Sequence, residues 1–299
     1  MKYFAPDYYN DFKCIADKCR HSCCIGWEID IDCETAKMYK QIGGDFGKRL
    51  SDNIGESDGV FSFKLTEDER CPFLNANGLC DIITTLGDGA LCQICDDHPR
   101  FYNDFSHRSE VGIGLCCEAA GMLILSKKEK TTIIEMDDDG DYYELDEEIK
   151  LRQEFIDIIH NRDKKVDERV SDLLTFTNTS FPAKNLEEWI DLFLSLERLD
   201  KLWDKKLLAL KNATLDFSVC EKFEIAFEQL LVYFLFRHSG KMTENVRKYI
   251  RFCILGYYMI RNLCALNSEL TLDYIVETAR LYSSEIEYSE ENMQTLFNL

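Results

Sequence analysis

The chain has 299 residues, a length that suits two domains or one large one. At 45% hydrophobic and 30% charged it has an ordinary globular composition, far from disordered or collagenous classes. Fifty-five acidic residues against 35 basic ones give a formal charge of −20, which argues against a phosphate-backbone binder and favours basic protein surfaces as partners. The longest unbroken apolar run, Leu230–Phe236, is far too short for a membrane span. The opening segment, Met1 to Asp7, carries neither the basic nor the apolar region of a signal peptide. The expectation is a soluble, cytoplasmic protein with no nucleic-acid or membrane partner.

Eleven of the fourteen cysteines fall within the first 117 residues. In a reducing compartment, thiols at that density point to metal ligands or redox groups rather than disulfides. Around them, Phe61, Phe63 and Leu65 alternate like a half-buried strand, and Glu110 to Gly114 reads as another. Asn77-Gly78 and Asp88-Gly89 mark turns between such elements, and Leu115 to Ser126 reads as a helix. Glu135 to Glu148 then packs nine carboxylates into fourteen positions. That run reads as a solvated linker or hairpin tip, with an acidic landing strip for a basic substrate protein as the sharper alternative.

From Leu151 onward the pattern is helical. Trp189, Leu192, Phe193, Leu196, Leu199 and Trp203 mark one face of a helix, and Cys220, Phe223, Phe227, Leu230, Leu231 and Phe234 mark the next. Thr243 is placed to cap a third, with Val246, Ile250, Cys253, Tyr257, Ile260 and Cys264 inward. A straight helix holds Cys253 and Cys264 about 16 Å apart, so they cannot share a metal. Cys220, Cys253 and Cys264 are therefore expected to pack in the core. The fold class expected is mainly α. A small α+β cysteine-rich domain spans 1–126, an acidic linker or hairpin 127–150 and a helical bundle 151–299.

The early cysteines fall into close-spaced groups: Cys14-x4-Cys19-x3-Cys23-Cys24, Cys71 with Cys80, Cys92-x2-Cys95, and Cys116-Cys117. A Cys-x2-Cys loop turns two thiolates toward one metal, and a second pair from elsewhere completes four, for zinc or for an iron–sulfur cluster. Gly112-Ile113-Gly114 is the nearest approach to a dinucleotide-type glycine turn, with Thr131 to Met136 as the following strand and Glu135 in the ribose-binding place. The competing reading is a plain hairpin-to-helix turn. Cys19-x3-Cys23 begins a radical S-adenosylmethionine motif, but Gly26 stands where its third cysteine belongs.

Phe12-x-Cys14, Cys19-x3-Cys23-Cys24-x-Gly26-Trp27-x-Ile29, Cys71-x-Phe73-Leu74, Gly78-Leu79-Cys80-Asp81-Ile82 and Leu91-Cys92-x2-Cys95-x3-Pro99-Arg100 together resemble the flagellin lysine-N-methylase family. Cys116-x-Glu118-Ala119-Ala120 fits its last cysteine motif, and Tyr282 to Asn292 resembles its carboxyl-terminal end. The resemblance implies methyl transfer from S-adenosylmethionine to lysine side chains of flagellin, or of another lysine-bearing protein, by an enzyme with a [4Fe–4S] cluster. Cys14, Cys19, Cys23, Cys24, Cys71, Cys80, Cys92, Cys95 and Cys116 carry over as cluster candidates, while Cys33 and Cys117 do not match. His98 and Arg100, close in sequence to Cys95, are the candidate catalytic residues: a base, and a grip on the methionine carboxylate or on cluster charge. The reading from a different class is a non-catalytic zinc- or iron-binding module acting in assembly or protein interaction.

Overall fold

The structure is a computed structural model that describes residues 2–136, 146–211 and 213–299. Seven strands are present among these: β1 (Lys2–Pro6), β2 (Asp30–Ile31), β3 (Ile54–Ser57), β4 (Val60–Phe63), β5 (Arg100–Asp104), β6 (Arg108–Ile113) and β7 (Ile133–Glu135). The chain divides into two compact units, one of residues 13–100 and one of 1–12 with 101–299. The expected boundary at residue 126 is not where the chain divides. Strand β1 pairs with β6 and β7, which draws the amino terminus and everything after Phe101 into one body.

Unit 13–100 holds a three-stranded antiparallel sheet in the order β2-β4-β3. Its helices are α1 (Cys33–Gln41), α2 (Gly44–Asn53), α3 (Asp81–Leu86) and α4 (Gln93–Asp97). Asp32 starts two of them: its Oδ1 accepts from Thr35 N at 2.9 Å at the head of α1, and its Oδ2 from Gln93 N at 3.0 Å at the head of α4. The core gathers Ile29, Ile31, Tyr39, Leu50, Phe63 and Phe73 together with Cys71 and Cys92. The expected strand at 61–65 is thus β4, and it ends at Phe63 rather than Leu65.

The larger unit is mainly helical: α5 (Glu118–Ser126), α6 (Glu147–Ile159), α7 (Val166–Phe176), α8 (Leu186–Ser195), α9 (Lys201–Lys211), α10 (Glu224–Arg237), α11 (Val246–Cys264), α12 (Leu272–Tyr282) and α13 (Glu290–Phe297). Its sheet runs β5-β6-β1-β7, with β1 parallel to β6 and β7 antiparallel to β1. Helix α10 is apolar nearly all round and is buried from Ala226 to Phe236, which explains the seven-residue apolar run. Glu110 on β6 is wholly buried and accepts two bonds from Arg152 of α6, at 2.5 and 2.7 Å, tying sheet to helices.

Several expectations change here. The stripe from Trp189 to Trp203 belongs to two helices, α8 and α9, rather than one. Tertiary partners take the backbone between them: Glu285 accepts the N–H groups of Leu199 and Asp200, and Asn292 Oδ1 that of Glu197. A 3-10 helix, Phe217–Phe223, precedes α10, so Cys220 and Phe234 lie on different elements. The cap of α11 is Asn245, whose Oδ1 accepts from Lys248 N at 3.1 Å, whereas the Thr243 hydroxyl donates to Gly240 O. The glycine turn is no nucleotide cradle. A Cβ on Gly112 would stand 2.3 Å from the Phe101 ring, so that glycine makes room for an aromatic. The next strand, β7, runs antiparallel to its neighbour, and Glu135 pairs with Lys2 at 2.7 Å. Residues 137–145, most of the acidic run, lie outside the described residues.

Cys220, Cys253 and Cys264 are 1%, 0% and 0% exposed, packed in the helical core. Among the described residues no helix is long and apolar enough to cross a membrane.

Candidate functional site

Five of the nine candidate ligands belong to the core of unit 13–100: Cys71 and Cys92 are buried in it, and Cys24, Cys80 and Cys95 pack against that core. Local structure places these five residues. The Cys24 carbonyl accepts the N–H of Cys71 at 2.8 Å, and Ile25 bridges Arg70. Leu74 bridges Cys80 across a tight turn in which Asn75 Oδ1 accepts from Asn77 N and Leu79 N, and Gly78 adopts φ +75°. Cys92 and Cys95 close one turn, with Cys95 N donating to Cys92 O at 2.9 Å.

The proton affinities of these thiols are already divided. A hydrogen bond from Cys95 outweighs burial and lowers the Cys92 thiol below its ordinary value, while Cys95 itself is raised. The Cys23 thiol does the same for Cys24, helped by Ser22 and Arg70, and brings it down to about 7. Burial pushes Cys71 up to about 12, and it also raises Cys80 against the N–H groups of Ile83 and Ile82. Thiolate is the form that ligates a metal. No group of three or more His, Cys, Asp or Glu side chains among the described residues already stands in metal-ligating geometry. As donors, thiols in this core suit a soft group such as an iron–sulfur cluster or zinc rather than an oxygen-seeking ion.

The other four candidates are placed differently. Cys14 and Cys23 are exposed, with Cys14 Sγ accepting from Ala16 N at 3.4 Å, and Cys19 Sγ donates to His21 O at 3.1 Å. Cys116 belongs to the larger unit. His98 is half-buried, its ring 6.1 Å from that of Trp27, and burial lowers it to about 4. It is therefore neutral at pH 7 but a weak acceptor for a lysine proton. Arg100 Nη1 donates to Asp96 O at 2.9 Å, closing the turn after α4.

The larger unit contains a buried polar network that the sequence reading did not single out. Glu287 ends a π-helical turn, Ser283–Glu287, that continues α12. Such turns in helices recur at functional sites. The carboxylate is wholly buried and accepts from Tyr233 Oη at 2.9 Å, from His238 Nε2 at 2.7 Å and from Ser283 Oγ. Burial alone would raise Glu287, but His238, Arg237 and Ser283 outweigh it and hold it below the usual range. Burial in turn lowers His238 despite its carboxylate partner, so the pair is a neutral imidazole donating to a carboxylate. Next to Glu287, Tyr288 is 43% exposed, and its hydroxyl accepts from Cys116 Sγ at 2.9 Å. Burial pushes Cys116 up to about 12, so it remains a thiol and a donor. The Arg237 guanidinium lies over Phe101 at 4.1 Å and within 5.8 Å of the Tyr288 ring. Two sequence signals pointed here: the motif from Tyr282 to Asn292, and cysteines at 116 and 117.

The carboxyl-terminal part of this unit resembles known proteins. Residues 182–299 match the model of the FliB lysine N-methylase C-terminal domain. The lysine-N-methylases of Salmonella choleraesuis (strain SC-B67) and Salmonella typhimurium (strain LT2) are each 27% identical over 139 residues, covering 44% of this chain and 34% of theirs. The flagellar biosynthetic protein FliU of Salmonella muenchen is 25% identical over 132 residues, 40% of this chain and 75% of its own. The similarity to lysine N-methylases thus lies in the carboxyl-terminal part of the chain. The match spans about a third of the length of those lysine-N-methylases. No solved structure matches the chain significantly.

Proposed function

We propose that the protein is a protein-lysine N-methyltransferase that transfers the methyl group of S-adenosylmethionine to lysine side chains of flagellin. The observation that carries this reading is the match of residues 182–299 to the FliB lysine N-methylase C-terminal domain, supported by two relatives named lysine-N-methylase. In the transfer the methyl–sulfur bond breaks, a nitrogen–carbon bond forms and a proton leaves the ammonium. Only the neutral amine is nucleophilic, and a free lysine has a pKa of ~10.4. The site must therefore remove that proton, although the −20 charge that attracts a basic partner opposes the loss.

The thiol-rich unit supports a metal-cluster cofactor. We assign a [4Fe–4S] cluster to thiolates drawn from Cys24, Cys71, Cys80, Cys92 and Cys95. When bound, the cluster supplies a redox-active Lewis-acid centre and cross-links the loops that carry these residues.

The test is methyl transfer from labelled S-adenosylmethionine to purified flagellin by protein reconstituted anaerobically with iron and sulfide. Label in acid-stable methyl-lysine supports the proposal. A brown, cluster-loaded protein that leaves flagellin unlabelled refutes it, and a colourless zinc-loaded protein points to the non-catalytic module.

A further inference from the structure

Arg237 is a largely buried cation whose side chain has no hydrogen-bond partner among the described residues. Other buried arginines are bonded to carboxylates: Arg152 grips Glu110 twice, and Arg169 Nη1 reaches Glu228 at 2.6 Å. The Arg237 side chain is only 13% exposed, yet its nearest carboxylate contact is Nε to Glu287 Oε1 at 3.9 Å, beyond hydrogen-bond reach. Its Nη1 is buried with no acceptor. The neighbouring carboxylate cannot swing to it, because Glu287 is held by Tyr233, His238 and Ser283. A guanidinium kept dry and underbonded beside a fixed carboxylate is costly to the fold unless something else completes it.

We propose that Arg237 anchors the carboxylate of a small zwitterionic ligand, and that this ligand is the amino-acid end of the methyl donor. The assignment rests on the methyl-transfer reading above. Guanidinium is the side chain suited to bidentate recognition of a carboxylate. A dianion such as phosphate would be opposed by the negative charge of Glu287 nearby, so a monoanion is favoured. The Tyr288 ring, 43% exposed and already 5.8 Å from the Arg237 guanidinium, is the aromatic group beside which the cationic part of such a ligand would lie. A methionine-type ligand carries both charges, a carboxylate and an ammonium or sulfonium. Cys116 and Glu287 then act as positioning residues: Cys116 fixes the Tyr288 hydroxyl, and Glu287 fixes the side chains behind Arg237.

The test is isothermal titration of the full chain, reconstituted with its metal, against two probes. S-adenosylhomocysteine carries the amino-acid end, and 5′-methylthioadenosine lacks it. The wild type should bind the first more tightly by roughly 10- to 100-fold, the range of a charge-assisted hydrogen-bonded pair. Arg237→Gln should abolish that preference and Arg237→Lys should restore part of it, while inorganic phosphate should not displace S-adenosylhomocysteine. Tyr288→Ala, which leaves the buried network in place, should also reduce the preference and carries the test if Arg237→Gln does not fold. Equal preference in folded Arg237→Gln and wild type, or displacement by phosphate, would overturn the assignment while leaving methyl transfer intact. A wild-type chain that binds neither probe would overturn both.

Discussion

Glu285 Oε1 accepts the backbone N–H of Asp200 at 2.5 Å, joining positions 85 residues apart, and its Oε2 takes that of Leu199 at 3.1 Å. This buried carboxylate sets where α8 ends and α9 begins. Glu285→Ala should destabilise the chain by about 1–3 kcal/mol, because two charge-assisted bonds are lost while water reaches the exposed end of the freed backbone. A urea midpoint unchanged from wild type would show that the break between the helices is held by packing instead.

Glu228 makes a second buried centre, bonded to Arg169 and to Arg162. Burial would raise its pKa, but the two guanidinium groups outweigh that and lower it below the usual glutamate value. A depressed carboxylate stabilises the fold above its unfolded pKa, and the contribution fades as pH falls through the folded value. Glu228→Gln should therefore cost stability at neutral pH, on the order of 3 kcal/mol for a buried pair left half-empty. The gap between variant and wild type in thermal midpoint should narrow on acidification. A gap independent of pH would contradict the ionised pair.

The thiols should separate by location. Cys92→Ser and Cys95→Ser should deplete bound iron and destabilise unit 13–100, since metal-binding energy is also folding energy. Cys220→Ala, Cys253→Ala and Cys264→Ala should leave iron unchanged and lose on the order of 1–2 kcal/mol of core packing. Iron and acid-labile sulfide assays with urea unfolding measure both effects. Loss of iron in a late-cysteine variant would move a ligand into the helical core.

Encounter with a basic protein substrate should be steered by the −20 charge and so be faster at low salt. Changing Asp137, Asp138, Asp139 and Asp141 to Asn should reduce methylation efficiency at low flagellin concentration with little change in maximal rate. Equal salt dependence in the variant and the wild type would make the acidic run a solvated spacer only.

What was readable in the sequence was local. The strands near residues 61 and 110, the helix after Leu115 and the burial of Cys220, Cys253 and Cys264 followed from periodicity and residue type. The division of one apolar stripe into α8 and α9 was not readable, because Glu285 makes it from 85 positions away and Asn292 from 95. The cap at Asn245 in place of Thr243 turned on where a 3-10 turn ends. In the candidate site, cysteine spacing pointed to the loops, but which thiols share the core of unit 13–100, Cys24, Cys71, Cys80, Cys92 and Cys95, is visible only in the fold. Buried Glu287 and underbonded Arg237 carry no spacing signal, since in sequence they resemble ordinary charged helix residues.

The central claim is lysine methylation, and intact-mass analysis of flagellin co-expressed with this protein tests it most directly. The account predicts a ladder of single-methyl increments on flagellin that maps to lysine and vanishes with Cys92→Ser. Flagellin of unmodified mass, co-expressed with folded, iron-loaded wild-type protein, would contradict it.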